Sequence, residues 1–279
     1  MAERCKGEFM SESGRKLNCK PASEFQPRVY EYLWEPYLPK HECSFITGFG
    51  GDGKNLLSSG IAACVTNGTP LPGETHRECG HVLIVNTDRR EKEFKGNLFR
   101  CGADMDRIHV MDYEGQPAKP LLTKDLQEIK EQVDIWHPQL VIMEAWRYYY
   151  GKRIYFHSES GFRDTERYLN KVATDLDCHL MLLLHDVKQS HKAFPWVAKN
   201  AFRVMRAYDA YDSTTRILLP VGRRNFETHK TQKFSCAGGK VTWLGESPII
   251  ADDYFYSESH KRTASNVVEA MKLRLANKR

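Results

Sequence analysis

Residues 43–68 read CSFITGFGGDGKNLLSSGIAACVTNG, and this stretch decides the fold class of the chain. It begins as an apolar run of strand length, continues as a glycine-rich turn and ends with the spacing of a helix that begins near Lys54. In this order, successive backbone N–H groups and the helix N-terminus can point at one anion. The stretch therefore predicts a phosphate-binding loop.

The loop has the spacing Gly-x4-Gly-Lys, in which glycines permit the tight backbone path and the lysine reaches the β- and γ-phosphates of a nucleotide. The predicted nucleotide-binding residues are Gly48, Gly50, Gly51, Asp52, Gly53, Lys54 and Asn55. Such motifs carry Ser or Thr after the lysine, because that hydroxyl binds Mg²⁺. Asn55 stands there instead, and its bulkier amide predicts weakened metal coordination. The alternative is a glycine-rich turn of some other α/β protein.

Apolar runs alternate with helical patterns on the C-terminal side of this loop, as βαβ units require. The pattern predicts strands at 43–48, 81–87, 107–111, 140–144 and 180–185, and helices at 54–65, 91–101, 123–135 and 163–177. Shorter strands at 203–208, 216–221, 233–236 and 241–244 and a helix at 263–279 follow. We expect an α/β fold with a mainly parallel sheet, followed by a C-terminal antiparallel strand extension.

Length and composition limit the possible domain organisation, location and partners of the protein. The 279 residues suit one large domain at 41–256, with an N-terminal arm at 1–40 and a basic C-terminal helix or tail at 257–279. No apolar run approaches the roughly 18–20 residues of a membrane span. The first twenty residues hold no apolar h-region, so we expect no secretory signal. The eight cysteines are scattered, without metal or disulfide spacing. We therefore expect a cytoplasmic protein, and the net charge of +5 permits a nucleic-acid partner without requiring one.

Three polar side chains lie at or just after the carboxyl ends of predicted strands. Glu144 ends the strand in HPQLVIMEAW, Asp88 follows the strand in GHVLIVNTDRRE, and His185 ends the strand in CHLMLLLHD. Because ligands bind at the carboxyl ends of parallel strands, these residues are candidates for holding a metal, orienting water and sensing the γ-phosphate. Taken singly, each has an ordinary alternative as a helix cap, a turn residue or a hydrogen-bonded strand end.

With these motifs in place, the chain resembles the RepA-like AAA-family ATPases of plasmids, phages and bacteria, which are relatives of hexameric replicative helicases. The resemblance covers residues 22–255. It rests on the segments ASEFQPRVYEYLWEPYLP, VTNGTPLPG, CGADMDRIHVMD, HPQLVIMEAW, DTERYLNKVATDLDCHLMLLLH and VTWLGESPIIADD, which occur in the same order as in the family. The last segment is unusual enough to be a specific marker.

This resemblance implies a RecA-like P-loop NTPase core that binds ATP and Mg²⁺ and assembles into a homo-oligomeric ring, with the hexamer as the form known in its relatives. Asp88 falls where the family usually has a catalytic Glu, and Glu144 where it usually has Asp; Asn55 and Glu144 are the metal candidates. Arg223 and Arg224 lie near the family's arginine finger, which reaches a neighbouring subunit's nucleotide. Ordinary surface arginines at a turn are the alternative.

The loops after the strands that end at Glu144 and His185 face the central channel in RecA-like rings. Here they carry Lys152 and Arg153 in RYYYGKRIYFHSESG, and Lys188 and Lys192 in DVKQSHKAFPWVAKN. Cations interleaved with aromatic residues suit single-stranded DNA, through phosphate pairing and base stacking. Alternatively, the aromatic residues pack against the core or a neighbouring subunit.

Two functional hypotheses remain open. In the first, the protein is an ATPase of the replicative-helicase type that couples ATP hydrolysis to the handling of single-stranded DNA. In the second, it binds nucleotide as an assembly or regulatory subunit and hydrolyses little, because Asn55 and the altered lengths of Asp88 and Glu144 move the metal and water ligands. Mispositioning by about 1 Å costs on the order of 100-fold in rate. DNA binding without ATP is a third, weaker alternative.

Overall fold

The computed structural model describes residues 19, 21–25, 29–86, 91–112, 123–144, 159–184, 197–207, 212–223, 229–256 and 264–276. The chain divides into two units, Met1–Tyr30 and Glu31–Arg279. The described part of the first unit contains one short 3-10 helix, Ala22–Glu24. All strands and α-helices named below belong to the second unit.

Among the described residues, nine strands form one mixed sheet and two more form a hairpin. The strands are β1 (Tyr32–Trp34), β2 (Leu38–Pro39), β3 (Cys43–Thr47), β4 (Val82–Asn86), β5 (Ile108–Asp112), β6 (Leu140–Met143), β7 (His179–Leu183), β8 (Ala201–Arg206), β9 (Thr215–Pro220), β10 (Thr231–Ser235) and β11 (Thr242–Ser247). The α-helices are α1 (Lys54–Asn67), α2 (Glu91–Cys101), α3 (Thr123–Trp136), α4 (Glu159–Asp175), α5 (Ala251–Tyr256) and α6 (Ala264–Ala276).

The large sheet has the order β11-β10-β9-β8-β3-β7-β6-β4-β5. The six strands from β8 to β5 run parallel, and β9, β10 and β11 are antiparallel to their neighbours. The predicted mainly parallel α/β sheet with added antiparallel strands is therefore confirmed. One detail was wrong: β8, predicted as part of the antiparallel extension, lies parallel to β3 and widens the parallel part.

Helices cover both faces of this sheet, which explains why β3, β6 and β7 are buried along their whole length. One face packs against Leu57 of α1 and Phe94 of α2, and we call it the α1 face. The other face packs against Ile129 of α3 and Leu169 of α4. Alternate residues of each strand belong to the two apolar clusters, as the twofold period of a strand requires.

Part of the predicted N-terminal arm is built into the core of the second unit. β1 and β2 form a hairpin, and Trp34, Tyr37 and Leu38 belong to the apolar cluster on the α1 face. The Trp34 indole N–H donates to the carbonyl of Pro72 at 2.9 Å, and the Tyr37 hydroxyl donates to the carbonyl of Lys230 at 2.9 Å. These residues therefore hold the hairpin against the sheet.

The predicted C-terminal helix is present as α6. Its Arg274 donates two hydrogen bonds to the buried carboxylate of Asp253 in α5, at 2.9 and 3.0 Å. A bidentate arginine–carboxylate pair fixes orientation as well as distance, and it ties α6 to the end of the sheet domain. None of the helices in the described ranges is long and apolar enough to cross a membrane.

Candidate functional site

The predicted phosphate-binding loop connects β3 to α1, as the sequence indicated. Gly51 and Gly53 have φ angles of 84° and 95°, a left-handed conformation that side chains other than glycine rarely adopt. At Gly48 the constraint is space, because an added Cβ would lie 2.6 Å from the carbonyl oxygen of Val204 on β8. The backbone path therefore requires glycine at positions 51 and 53, and the close approach of β8 requires it at position 48.

Lys54 is the first residue of α1, and its side chain is buried. Its ammonium donates to the carbonyl of Gly48 at 2.8 Å and to that of Phe49 at 2.9 Å. These bonds hold the charge across the mouth of the loop, beside the N-terminus of α1. Burying an ammonium is costly unless it is well bonded, so the loop is built around this cation.

The side of the loop formed by Gly50 and Gly51 is open. A Cβ added at either position would meet no atom within 4 Å. The first N–H groups of an α-helix have no intrahelical partners, and the N-cap of α1 is Gly53, which has no side chain to cover them. The helix dipole and the Lys54 ammonium place positive charge at this open side of the loop, which is where an anion is bound at a helix N-terminus.

Asp52 and Asn55 were both predicted to contact nucleotide. In the structure both accept hydrogen bonds from neighbouring residues of the loop and of α1. The Asp52 carboxylate accepts a hydrogen bond from the Phe49 N–H at 2.7 Å, which closes the turn within the loop. The Asn55 carbonyl accepts from the hydroxyls of Ser58 and Ser59 at 3.0 and 2.8 Å. The Asn55 side chain is partly exposed at the second position of α1, where the usual Ser or Thr would stand.

Glu144 follows β6 and is 4% exposed. Its N–H donates to the Val85 carbonyl at 3.3 Å. The residues two and four positions before it, Ile142 and Leu140, pack on the α1 face, so the strand period predicts the same face for Glu144. Because β7 separates β6 from β3, Glu144 lies two strand spacings, about 10 Å, from the strand that leads into the loop.

The other predicted catalytic residues, Asp88 and His185, lie outside the described residues. β4 and β7, which precede them, are parallel to β3 and β6 and end at the same edge of the sheet. The predicted DNA-binding residues Lys152, Arg153, Lys188 and Lys192, and the arginine-finger candidate Arg224, also lie outside the described part of the chain.

The second arginine-finger candidate, Arg223, is not brought to the phosphate loop of its own chain. Its N–H donates to the Ala198 carbonyl at 2.7 Å, and its guanidinium lies 3.9 Å from the Glu166 carboxylate. Burial raises the pKa of Glu166, and the Lys199 N–H and Arg223 oppose that shift. Arg223 follows the end of β9, whereas the beginning of β9 lies beside the loop; the two ends lie at opposite edges of the sheet.

Two arginines that contact the loop were not predicted from the sequence. Arg216 of β9 donates from Nε to the Asp52 carbonyl at 3.1 Å, and the Arg203 guanidinium of β8 lies 5.1 Å from the centre of the Phe49 ring. The available signal was a charged residue inside each apolar strand, AFRVMR and TRILLP. Such cations in buried strands indicate a local partner.

The fold and this loop define an α/β protein with an ATPase-type nucleotide-binding site. The chain belongs to the family described as AAA domain, whose model matches residues 18–195, more than half of its length. A search of curated proteins finds no match to the chain. Membership of this family supports ATP binding and ATPase chemistry, typically with Mg²⁺.

Proposed function

We propose that this protein is a RecA-like P-loop ATPase of the RepA-like replicative-helicase type. It couples ATP hydrolysis to the handling of single-stranded DNA, in replication or in the maintenance of mobile elements. The observation that carries the proposal is the buried Lys54 ammonium, held 2.8 and 2.9 Å from two loop carbonyls at the start of α1. A cation fixed at a helix N-terminus is a site for the phosphates of a nucleotide.

In this proposal, different described residues bind the phosphates and the metal. Lys54 and the loop N–H groups bind the phosphates. Mg²⁺ is usually held by one or two carboxylates together with substrate phosphates, and it keeps several waters. Glu144 supplies a carboxylate at the carboxyl end of β6, on the α1 face of the sheet. Asn55 supplies an amide oxygen at the start of α1. In the described ranges no group of three or more His, Cys, Asp or Glu could hold a metal alone. Phosphate oxygens of a bound nucleotide would supply the other ligands.

The remaining roles in the proposal come from the resemblance. Asp88 orients the attacking water, and His185 contacts the γ-phosphate. Lys152, Arg153, Lys188 and Lys192 pair with DNA phosphates. The subunits form a ring in which Arg223 or Arg224 reaches the nucleotide of the next subunit.

Phosphate release from Mg²⁺-ATP, measured with and without single-stranded DNA, tests the proposal. The Lys54→Ala variant removes the central cation and is expected to lose turnover by on the order of 100-fold or more. Lys40→Ala is the matched control, because Lys40 is a lysine of the second unit that pairs with Glu31 and Asp177 away from the loop. Wild-type activity equal to that of Lys54→Ala, with or without DNA, would contradict an ATP-driven motor.

A second candidate function is a nucleotide-binding assembly or regulatory subunit with little turnover. The observation in its favour is Asn55 at the position of the metal-binding hydroxyl. Titration with a fluorescent ATP analogue separates the two. Tight, Lys54-dependent binding without phosphate release favours the regulatory subunit, whereas binding with DNA-stimulated release favours the motor.

A further inference from the structure

Arg216 lies at a junction between the phosphate loop and the β8–β9 turn. Its Nε donates to the Asp52 carbonyl at 3.1 Å, and its Nη1 donates to the carbonyls of Ser213 and Thr215 at 2.7 and 3.1 Å. The guanidinium therefore spans two segments that are far apart in sequence. The antiparallel part of the sheet therefore contacts the predicted phosphate loop directly through Arg216.

This contact fixes the orientation of one peptide group. The carbonyl of residue 52 and the N–H of Gly53 belong to the same planar trans peptide, so they point in opposite directions. When Arg216 holds the Asp52 carbonyl, the Gly53 N–H must point away from Arg216. Gly53 is the N-cap of α1, and its φ of 95° is one that only glycine adopts readily. Without an anchor, a glycine peptide of this kind rotates easily.

We propose that Arg216 is a positioning residue for the phosphate loop: it holds the Asp52–Gly53 peptide so that the Gly53 N–H faces the bound phosphate. This inference rests on the proposed nucleotide-binding function and adds to it a residue from β9 that sits outside the loop motif. The role depends on the planar, branched guanidinium, which can hold carbonyls in two directions at once. A lysine ammonium at the same place has the charge but not this geometry.

Hydrogen exchange of the nucleotide-free protein tests the contact before any ligand is added. In Arg216→Met, amides in a peptide covering residues 48–55 are expected to exchange faster, while peptides of β6 and β7 keep their wild-type rates. Unchanged exchange at 48–55 would overturn the proposal. Faster exchange throughout the domain would also overturn it, because Arg216 would then serve general stability.

Binding of a fluorescent ATP analogue tests the consequence. Arg216→Met is expected to raise the Kd by about tenfold, the loss expected for one well-placed hydrogen-bond donor to phosphate. Arg216→Lys is expected to raise the Kd nearly as much, because it keeps only the charge. If Arg216→Lys binds like the wild type, attraction by charge is sufficient and the positioning role is wrong.

Two matched variants exclude simpler explanations. Arg206 is exposed and lies opposite Arg216 on β8, so Arg206→Met removes the same charge beside the site and should leave the Kd within about twofold. Asp212 accepts hydrogen bonds from Thr214 and Thr215 in the β8–β9 turn, so Asp212→Ala loosens that turn without removing the Asp52 contact. Equal losses of affinity in either variant and in Arg216→Met would overturn the proposal.

Failure of the proposed function gives a different result. If the wild type does not bind nucleotide, or binds it as well after Lys54→Ala, the nucleotide site itself is wrong and the positioning role falls with it. If Lys54→Ala abolishes binding and Arg216→Met does not weaken it, the site is right and only the role of Arg216 is wrong.

Discussion

Gly53, the N-cap of α1, is subject to two constraints that disfavour any residue with a side chain. Its φ is 95°, and an added Cβ would lie 3.3 Å from the Cys236 sulfur. A left-handed conformation costs a residue with a Cβ about 1–2 kcal/mol. We therefore expect Gly53→Ala to lower the free energy of unfolding by about that amount and to weaken nucleotide binding, because the displaced backbone moves the first N–H groups of α1.

Urea unfolding and nucleotide titration measure these two effects. Gly50→Ala is the control for stability, since its φ lies outside the left-handed region and its Cβ would meet no atom within 4 Å. The expectation is contradicted if both alanine variants unfold at the same urea concentration as the wild type.

Asn55 allows the proposed metal site to be tested by one substitution. Its side chain takes the place of a hydroxyl, while its backbone carbonyl already accepts the Ser58 and Ser59 hydroxyls and is unaffected by substitution. We expect Asn55→Thr to raise Mg²⁺-dependent phosphate release by about 10- to 100-fold, since a shift of roughly 1 Å in a ligand has effects of this size. Asn55→Ala, which removes the proposed oxygen ligand, should be slower than the wild type, and equal rates in all three proteins would contradict the metal role.

At the scale of single residues, the sequence was informative where chemistry is local. Gly48, Gly53 and Lys54 follow from a spacing of a few residues, and the structure places all three in one loop. Arg216 could not be predicted in this way, because its contact with Asp52 spans 164 positions along the chain. Only the strand order, which brings β9 near the loop, reveals it.

At the scale of elements, His179 of β7 makes the free energy of unfolding depend on pH. It begins β7, is fully buried, and donates from Nδ1 to the Pro39 carbonyl of β2 at 2.7 Å. Burial lowers the pKa of His179 from its ordinary value of 6.5 to about 4. Between these values the unfolded chain binds a proton that the folded protein does not, so the free energy of unfolding falls as the pH falls.

The expected loss between pH 7 and pH 5 is about 2 kcal/mol, and it should be absent in His179→Asn. Asparagine keeps a donor for the Pro39 carbonyl and does not titrate. Urea unfolding of both proteins at the two pH values gives the difference directly, and other titrating groups cancel in the comparison. Parallel pH dependence in the two proteins would show that His179 does not titrate as stated.

At the scale of elements, apolar runs and their spacing were sufficient for β3 to β7 and for α1 to α4, whose observed ends lie within a few residues of the prediction. The hairpin of β1 and β2 was not predicted. Pro36 and Pro39 suggested an irregular arm, yet a proline is tolerated in an edge strand, which has fewer backbone N–H partners to satisfy. The parallel pairing of β8 with β3 likewise depends on sheet order, which a run of apolar residues does not encode.

At the scale of the whole molecule, the position of Arg223 in the fold decides which nucleotide it can reach. In its own chain this arginine lies beside Glu166 at 3.9 Å, near the amino end of β8, whereas Lys54 lies at the carboxyl end of β3. Its side chain is partly exposed, at 43%. If Arg223 acts on a nucleotide, that nucleotide belongs to a neighbouring subunit, and the interface must be of the head-to-tail type that closes into a ring.

Mixing two inactive variants tests this arrangement. Lys54→Ala keeps Arg223 but lacks the phosphate cation, and Arg223→Ala keeps its loop but lacks the arginine. Each alone should release little phosphate, whereas an equal mixture should recover about one quarter of the wild-type rate, because that fraction of randomly formed interfaces pairs an intact loop with an intact arginine. Mixing Lys54→Ala with Arg163→Ala, which loses another partly exposed arginine of the domain, should only dilute activity. Without recovery in the first mixture, Arg223 serves its contact with Glu166 and no neighbouring site.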